Sequence, residues 1–294
     1  MDIKNTTDAI YHGATWNHLN LNLIRIYDNI IPDYAILKNV RNTFYQIWLI
    51  RYGYAHLKTQ DESFFLEPGD WCVSPPYIPR DHEFLRDAKI ISIAVRAEWP
   101  NGKSLFAEKR PIIFKNSNFK SFEEISVKLN NIVKKHIGFT HDFISKHKLS
   151  LHGHLKINEL FYKWFDAWVD VMIANNCEPQ IISDLDPRIS SVIMYLNGLN
   201  FTPKAPYDQL HKISGLSRVH LDRLFKKQMG LSPSEYLNKR CLDKATSLIS
   251  STNFSFKEIC FQLGFANLSH FCIWFKRKTG YSPKDFRKRG LGIY

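Results

Sequence analysis

The run Phe225-Lys226-Lys227-Gln228-Met229-Gly230-Leu231-Ser232-Pro233-Ser234-Glu235-Tyr236 returns 50 residues later as Phe275-Lys276-Arg277-Lys278-Thr279-Gly280-Tyr281-Ser282-Pro283-Lys284-Asp285-Phe286. Five of the twelve positions are identical and three more are conservative. Upstream, Leu210 and Gly215-Leu216 answer to Ile259 and Gly264-Phe265 at an offset of 49. A repeat of this kind is one supersecondary unit used twice, so the last third of the chain must fold as two copies of one motif. Each copy reads as helix, tight turn, helix. In the first, Tyr207 to Ser214 makes a short helix, Gly215 takes the positive φ that ends it, and Ser217 caps the next helix through its hydroxyl. The matching parts of the second are Lys257 to Leu263, Gly264 and Asn267. Between the copies, Ser234 to Ser250 reads as one amphipathic helix, with Leu237, Cys241, Ala245 and Leu248 along a seam and Pro233 in its first turn. Roughly sixteen residues at ~1.5 Å each make a stiff spacer of ~24 Å.

Charge is distributed as unevenly as the repeat. The chain carries a net +12, yet residues 185–294 hold 18 Lys/Arg against 7 Asp/Glu, leaving 22 against 21 for residues 1–184. A compact basic segment selects a polyanion, because each neutralised phosphate releases condensed counterions. Charge alone also fits a solvated basic face; the duplicated helix-turn-helix decides for double-stranded DNA. In the second helix of the first copy, Leu221, Leu224 and Phe225 share one face and bury. Val219, Asp222, Arg223 and Lys226, with Arg218 in the first turn, then face DNA. In the second copy Phe271, Trp274 and Phe275 turn inward. Leu268, Ser269, Cys272, Ile273 and Lys276 point outward, and His270 lies at the edge of that face.

At 294 residues and 44% hydrophobic content the chain has material for two domains. It lacks a stretch of about 18 uncharged apolar residues, and residues 1–8 have neither the basic start nor the apolar core of a signal peptide, so a cytoplasmic protein without membrane contact is expected. Five scattered cysteines (Cys72, Cys177, Cys241, Cys260, Cys272) without a CxxC pair read as buried thiols. No Gly-rich phosphate loop, nucleophile elbow or carboxylate pair at helical spacing supports an enzyme, and no cofactor is expected.

Residues 188 to 290 resemble the DNA-binding domain of the AraC/XylS family of transcription regulators. The likeness extends to the run Ile259-x4-Gly264-Phe265-x5-Phe271-x3-Phe275-Lys276-x3-Gly280-x-Ser282-Pro283-x2-Phe286-Arg287. The resemblance implies a seven-helix domain binding an asymmetric site through two recognition helices, with His211, Val219, Asp222 and Arg223 at or near contact positions. It also implies RNA polymerase as a partner and activation rather than repression. Arg223 is the best base reader, able to form a bidentate pair with guanine. Lys226, Lys227, Lys276, Arg277 and Lys278 fit phosphate contacts. One departure is Ile273, where the second recognition helix commonly carries an arginine. With Leu268 and Ser269 beside it, that helix reads thymine methyls, leaves sequence choice to the first copy, or anchors on phosphate.

In the N-terminal part, Phe44 to Lys58 alternates aromatic and aliphatic residues and breaks at Gly53, and Phe64 to Pro76 joins apolar strands through a Pro68-Gly69-Asp70 turn. Short strands with such turns suggest a small β barrel. Over about residues 10–112 the passage is similar to the cupin-like sensing domain carried by many members of that family, in which a Pro-Gly-Asp turn precedes Pro-Pro and a histidine, here His82. The paired histidines of metal-dependent cupins are missing: His56 and His82 are isolated and His152-Gly153-His154 lies beyond the barrel, so no metal is expected. The barrel is expected to hold a small molecule, a sugar by resemblance, on Trp48, Arg51, Trp71 and His82. Strand alternation puts Trp48 and Arg51 on opposite sides unless a bulge intervenes, and a plain aromatic core is the alternative. Phe122 to His136 and His154 to Ala174 read as helices. The second, with Leu160, Phe161, Trp164, Phe165, Trp168 and Met172, either packs on the barrel or forms a homodimer seam.

The fold class is therefore α+β. Residues 1–178 form a cupin-like β barrel (about 10–112) with flanking helices (about 119–176), 179–187 a linker, and 188–294 an all-α tandem helix-turn-helix domain in which Asp186 and Pro187 start the first helix. The function expected is a transcription activator whose DNA occupancy a ligand changes through the N-terminal domain, its arm of residues 1 to 18, or a dimer partner. A cupin enzyme with a DNA tether and a ligand-independent architectural DNA binder are the alternatives.

Overall fold

The computed structural model describes residues 16, 19–31, 36–99, 101–180, 185–199, 205–252 and 254–288; the arm expected at residues 1 to 18 lies outside these except for Trp16. The chain divides into two compact units, one built from residues 20–98 and 104–180, the other from the described parts of 1–19, 99–103 and 181–291.

Seven antiparallel strands make the first unit: β1 (Asn20–Ile31), β2 (Ile36–Val40), β3 (Tyr45–Lys58), β4 (Ser63–Leu66), β5 (Asp70–Ser74), β6 (Arg80–Glu98) and β7 (Ile112–Lys115). Their order is β1-β6-β3-β5-β7, with β2 also on β6 and β4 on β3. At 14 and 19 residues, β3 and β6 are about two and a half and three and a half times the usual strand length because each runs through both halves of the sheet. They bend together where the pairing slips at Tyr52 and Tyr54. Gly53 there takes φ 70°, opposite Arg86 and Asp87 at φ 58° and 46°. The bend rolls one face inward, so that Tyr27, Trp48, Ile50, Leu57, Leu66, Phe84 and Ile90 pack on one another. Among the described residues β1 and β7 end the hydrogen-bonded path of this rolled antiparallel sheet.

Two helices cover the other face, α1 (Lys120–Ile137) and α2 (Leu151–Ala174). Phe122 meets Trp71 at 4.8 Å between ring centroids, Trp168 meets Tyr45 at 5.1 Å, and Trp164 donates from Nε1 to Ser126 Oγ at 2.8 Å. The aromatic stripe of α2 thus packs on the sheet. α2 begins three residues before the expected His154 because Ser150 accepts from the Gly153 amide. Pro179 and Gln180, expected in the linker, belong to this unit: Pro179 bridges Phe106, and the Gln180 amide donates to the Leu105 carbonyl.

The second unit is α3 (Pro187–Gly198), α4 (Tyr207–Ser214), α5 (Arg218–Met229), α6 (Pro233–Ser251), α7 (Phe256–Gln262), α8 (Leu268–Thr279) and α9 (Pro283–Lys288). Asp186 caps α3 by accepting from the Arg188 amide, with Pro187 in the first turn. Two cores share α6. Tyr236 and Leu237 at its start join Ile193, Leu210, Leu221 and Phe225; Cys241, Ala245, Leu248 and Ile249 farther along join Ile259, Phe271, Trp274 and Phe275. Phe225 and Phe275 occupy equivalent places, both fully buried, and each stabilises its core by about 2–3 kcal/mol. Reciprocal Ser232–Glu235 and Ser255–Glu258 capping boxes start α6 and α7.

Candidate nucleic-acid interface and sheet interior

The two expected reading helices, α5 and α8, are 12 residues each, capped at Ser217 and Asn267 and ended by left-handed Gly230 and Gly280. Leu221, Phe225 and Met229 bury one side of α5; Phe271, Trp274 and Phe275 bury the matching side of α8. What remains outward on α5 is Val219 (75% exposed), His220, Arg223, Lys226 and Lys227, with Arg218 in the first turn. On α8 the exposed set is Leu268, Ser269, His270, Ile273 (65% exposed), Lys276, Arg277 and Lys278. Arg223 and Ile273 are the sixth residue of their helices, so the same outward place carries a five-donor fork in one unit and an aliphatic surface in the other. Lysines in the last turn of both helices, joined by Arg277 in α8, also complement the helix dipole.

Two of the residues expected to point outward, Asp222 and Cys272, are half-buried instead. Asp222 is half-buried because the Tyr207 hydroxyl of α4 donates to its Oδ1 at 2.7 Å. Arg218, although exposed, lies over the Tyr207 ring at 4.2 Å. Burial, with Asp222 beside it, holds the Tyr207 phenol above its ordinary value, so it remains a donor. Cys272 packs half-buried against the second core; the other four thiols are buried. His211 is exposed, and its Nδ1 donates to the Leu216 carbonyl at 2.8 Å, which steadies the turn between α4 and α5.

In the sheet, the four residues expected to hold a ligand divide between two faces. Trp48 and His82 lie inside the roll, both buried, with ring centroids 4.9 Å apart. Arg51 lies outside, paired to Asp28 and to Glu123 of α1 at 2.7 Å each. Trp71 is also on the helix-covered face, donating from Nε1 to Asn116 Oδ1 at 2.8 Å. The inner face adds polar groups that the sequence reading missed. Arg25 donates to Gln46 Oε1 at 3.1 Å and Gln46 donates to Ser92 Oγ at 2.9 Å. Arg80 is buried beside Trp48. A signal for Arg80 was present: Arg80, His82 and Phe84 alternate with Asp81 and Glu83, which places the first three on one face.

Residues 210–289 match the family described as a helix-turn-helix domain. Among curated proteins the chain is 32% identical over 103 residues to the HTH-type transcriptional activator RhaS of Klebsiella pneumoniae (strain 342), covering 35% of this chain and 37% of that protein. It is also 32% identical over 104 residues to the uncharacterized HTH-type transcriptional regulator YdiP of Escherichia coli (strain K12), covering 35% and 34%. The chain thus spans little more than a third of the length of these relatives, each named as a transcriptional regulator rather than an enzyme. Among solved structures, ToxT from Vibrio cholerae O395 aligns over 94% of this chain and 100% of its own, at 15% identity and a TM-score of 0.45. The C-terminal domain of AraT, a response regulator from Geobacillus stearothermophilus, aligns over 36% and 88%, at 26% identity and a TM-score of 0.34.

Proposed function

We propose that the C-terminal third of this chain, which matches a helix-turn-helix domain and is similar to the transcriptional activator RhaS, is an AraC/XylS-type DNA-binding domain, and that the whole chain is a sequence-specific transcription activator whose occupancy of DNA is set by a small molecule held in the rolled sheet. The observation that carries this reading is the pair of matched helices, α5 and α8, each with one buried and one open basic face, built on the two halves of a single connecting helix. Arg223 is free to reach a guanine edge, and the lysines at the helix ends are free to reach phosphates. The place for an effector, a sugar or another small polar molecule, is the inner face of the sheet, where Trp48 supplies a ring and His82 and Arg80 supply donors. RNA polymerase as partner on DNA, a second copy of this chain as partner in solution, and the cytoplasm as compartment belong to the same reading.

The test is selection of preferred DNA from a random pool, followed by footprinting of wild type and Arg223→Ala. Loss of the fork should weaken binding to the selected site by about 1–3 kcal/mol, roughly 5- to 150-fold, while nonspecific binding changes little. A wild-type chain whose preference vanishes under competition with nonspecific DNA at moderate salt would instead be a charge-driven architectural binder.

A further inference from the structure

Inside the roll there is a positive charge that no neighbouring group balances. Arg80, at the start of β6, is 2% exposed, and its Nε, Nη1 and Nη2 all lack a hydrogen-bond partner. Its guanidinium lies 5.8 Å from the centroid of Trp48, whose ring also touches Phe84 at 5.2 Å. His82, 3% exposed, leaves both ring nitrogens unpartnered. Burial draws Arg80 down only to about 10, so it stays charged at neutral pH. Burial and the charge of Arg80 push His82 down to about 3, so the imidazole is neutral and offers one N–H and one lone pair.

No carboxylate answers that charge among the described residues. Asp81 and Glu83 alternate to the other side of β6, Asp81 accepting from the Asn39 amide and Glu83 lying 3.3 Å from His56. Asp70, the one carboxylate among the buried polar residues described, pairs with Lys115. The other interior cation, Arg25, bonds Gln46 and depresses Arg80 rather than relieving it. A buried charge without a partner is strongly destabilising, and a guanidinium fork matches a carboxylate with two parallel hydrogen bonds. Of the two guanidiniums in the described interior, Arg25 is held by neutral oxygens and Arg80 has all three nitrogens unpartnered, so Arg80 is where a carboxylate fits; the hydroxyls of a neutral sugar carry no charge to offset it. The walls beside it, Trp48, Phe84, Leu57 and Leu66, are apolar.

We propose that the interior of the rolled sheet binds a small organic monocarboxylic acid, its carboxylate on Arg80, its apolar body against Trp48 and Phe84, and the His82 N–H as a further donor. Calling this acid the effector rests on the regulator reading above; the binding site itself does not.

The experiment uses the full chain in thermal denaturation and isothermal titration with sodium acetate, hexanoate and benzoate at millimolar concentration. The matched controls are acetamide, hexanamide and benzamide at equal ionic strength. The acids, hexanoate and benzoate above acetate, should raise the Tm of the wild type, and each amide should bind at least tenfold more weakly. Arg80→Met should raise the Tm without additive, by removing the unpaired charge, and should abolish the response to acids; Arg80→Lys should keep part of it. Equal responses to acid and amide, no response to any acid, or an acid response that survives in Arg80→Met overturns the proposal. Should Arg80→Met fail to fold, the acid-against-amide contrast in the wild type decides. Acid binding that leaves DNA affinity unchanged keeps the site and removes its regulatory role. Absent acid binding with intact sequence-specific DNA binding removes the site and leaves the regulator reading standing.

Discussion

His82 makes the sheet unit sensitive to acid. In the unfolded chain its imidazole titrates near 6.5, and in the fold burial moves it to about 3. Between those values the unfolded chain takes up a proton that the folded chain refuses, so stability rises with pH across that window. It is complete above about pH 6.5 and is lost as pH falls toward 3. The groups around the ring are Arg80, Trp48 and Phe84, with no acid to reverse the sign among the described residues. Wild type should therefore lose Tm more steeply than His82→Gln between pH 6.5 and 4; parallel curves would show that the imidazole is not held neutral. On α8, Ile273→Arg places a fork where α5 carries Arg223. It should strengthen protection and sharpen base preference over the half-site facing α8. An unchanged footprint there would mean that α8 does not enter the groove. At this scale the sequence was most informative where one face is plainly wet: Arg223, Lys226 and Lys276 could be placed from helical spacing alone. It was least informative inside the sheet, where Arg51 looks like a pocket donor but is committed to Asp28 and Glu123, and where Arg80, not singled out from the sequence, is buried.

Helices and strands differ in how openly the sequence declares them. Ser217, Ser232, Ser255 and Asn267 each accept from the amide three residues on, and left-handed Gly215, Gly230 and Gly280 end α4, α5 and α8, so those boundaries are written in residue types with a direct physical role. β3 resists the same treatment. Tyr45 to Ile50 are all buried because helices cover one face and the roll encloses the other, so hydrophobic alternation does not say which side is which. The bend that makes the roll depends on Gly53. A Cβ there would stand 2.6 Å from the Leu85 carbonyl oxygen and 2.7 Å from Ala88 Cα, at a φ that L-residues avoid. Gly53→Ala should cost about 2–4 kcal/mol, from backbone strain and overlap together. Gly69→Ala shares the positive φ but meets nothing within 4 Å, so it should cost only about 1 kcal/mol. Urea denaturation separates the two; equal losses would mean that the contacts around Gly53 do not shape the sheet.

Across the whole molecule, basic charge is concentrated in residues 185–294 while the remainder is nearly neutral. DNA affinity should fall with salt, and each lysine or arginine that meets a phosphate adds about −0.9 to the slope of log K against log salt. Removing Lys276, Arg277 and Lys278 together should flatten the slope by up to about 2.7 units without altering base preference. A shift in preference instead would make them readers. If the sheet interior controls the DNA-binding domain, an acid that changes DNA affinity must have its own affinity changed by DNA to the same factor. The sharing of α6 between two cores has a longer-range consequence. Substitutions on α5 and α8 can alter which bases are favoured one position at a time, but none of them changes helical phasing. One residue inserted near Lys239, between Leu237 of the first core and Cys241 of the second, would rotate everything beyond it by about 100° and advance it ~1.5 Å. On the proposed reading, operators reachable by point mutation all keep one separation between their halves, and a promoter that drifts by a base pair in that interval would lose this protein however well its letters match.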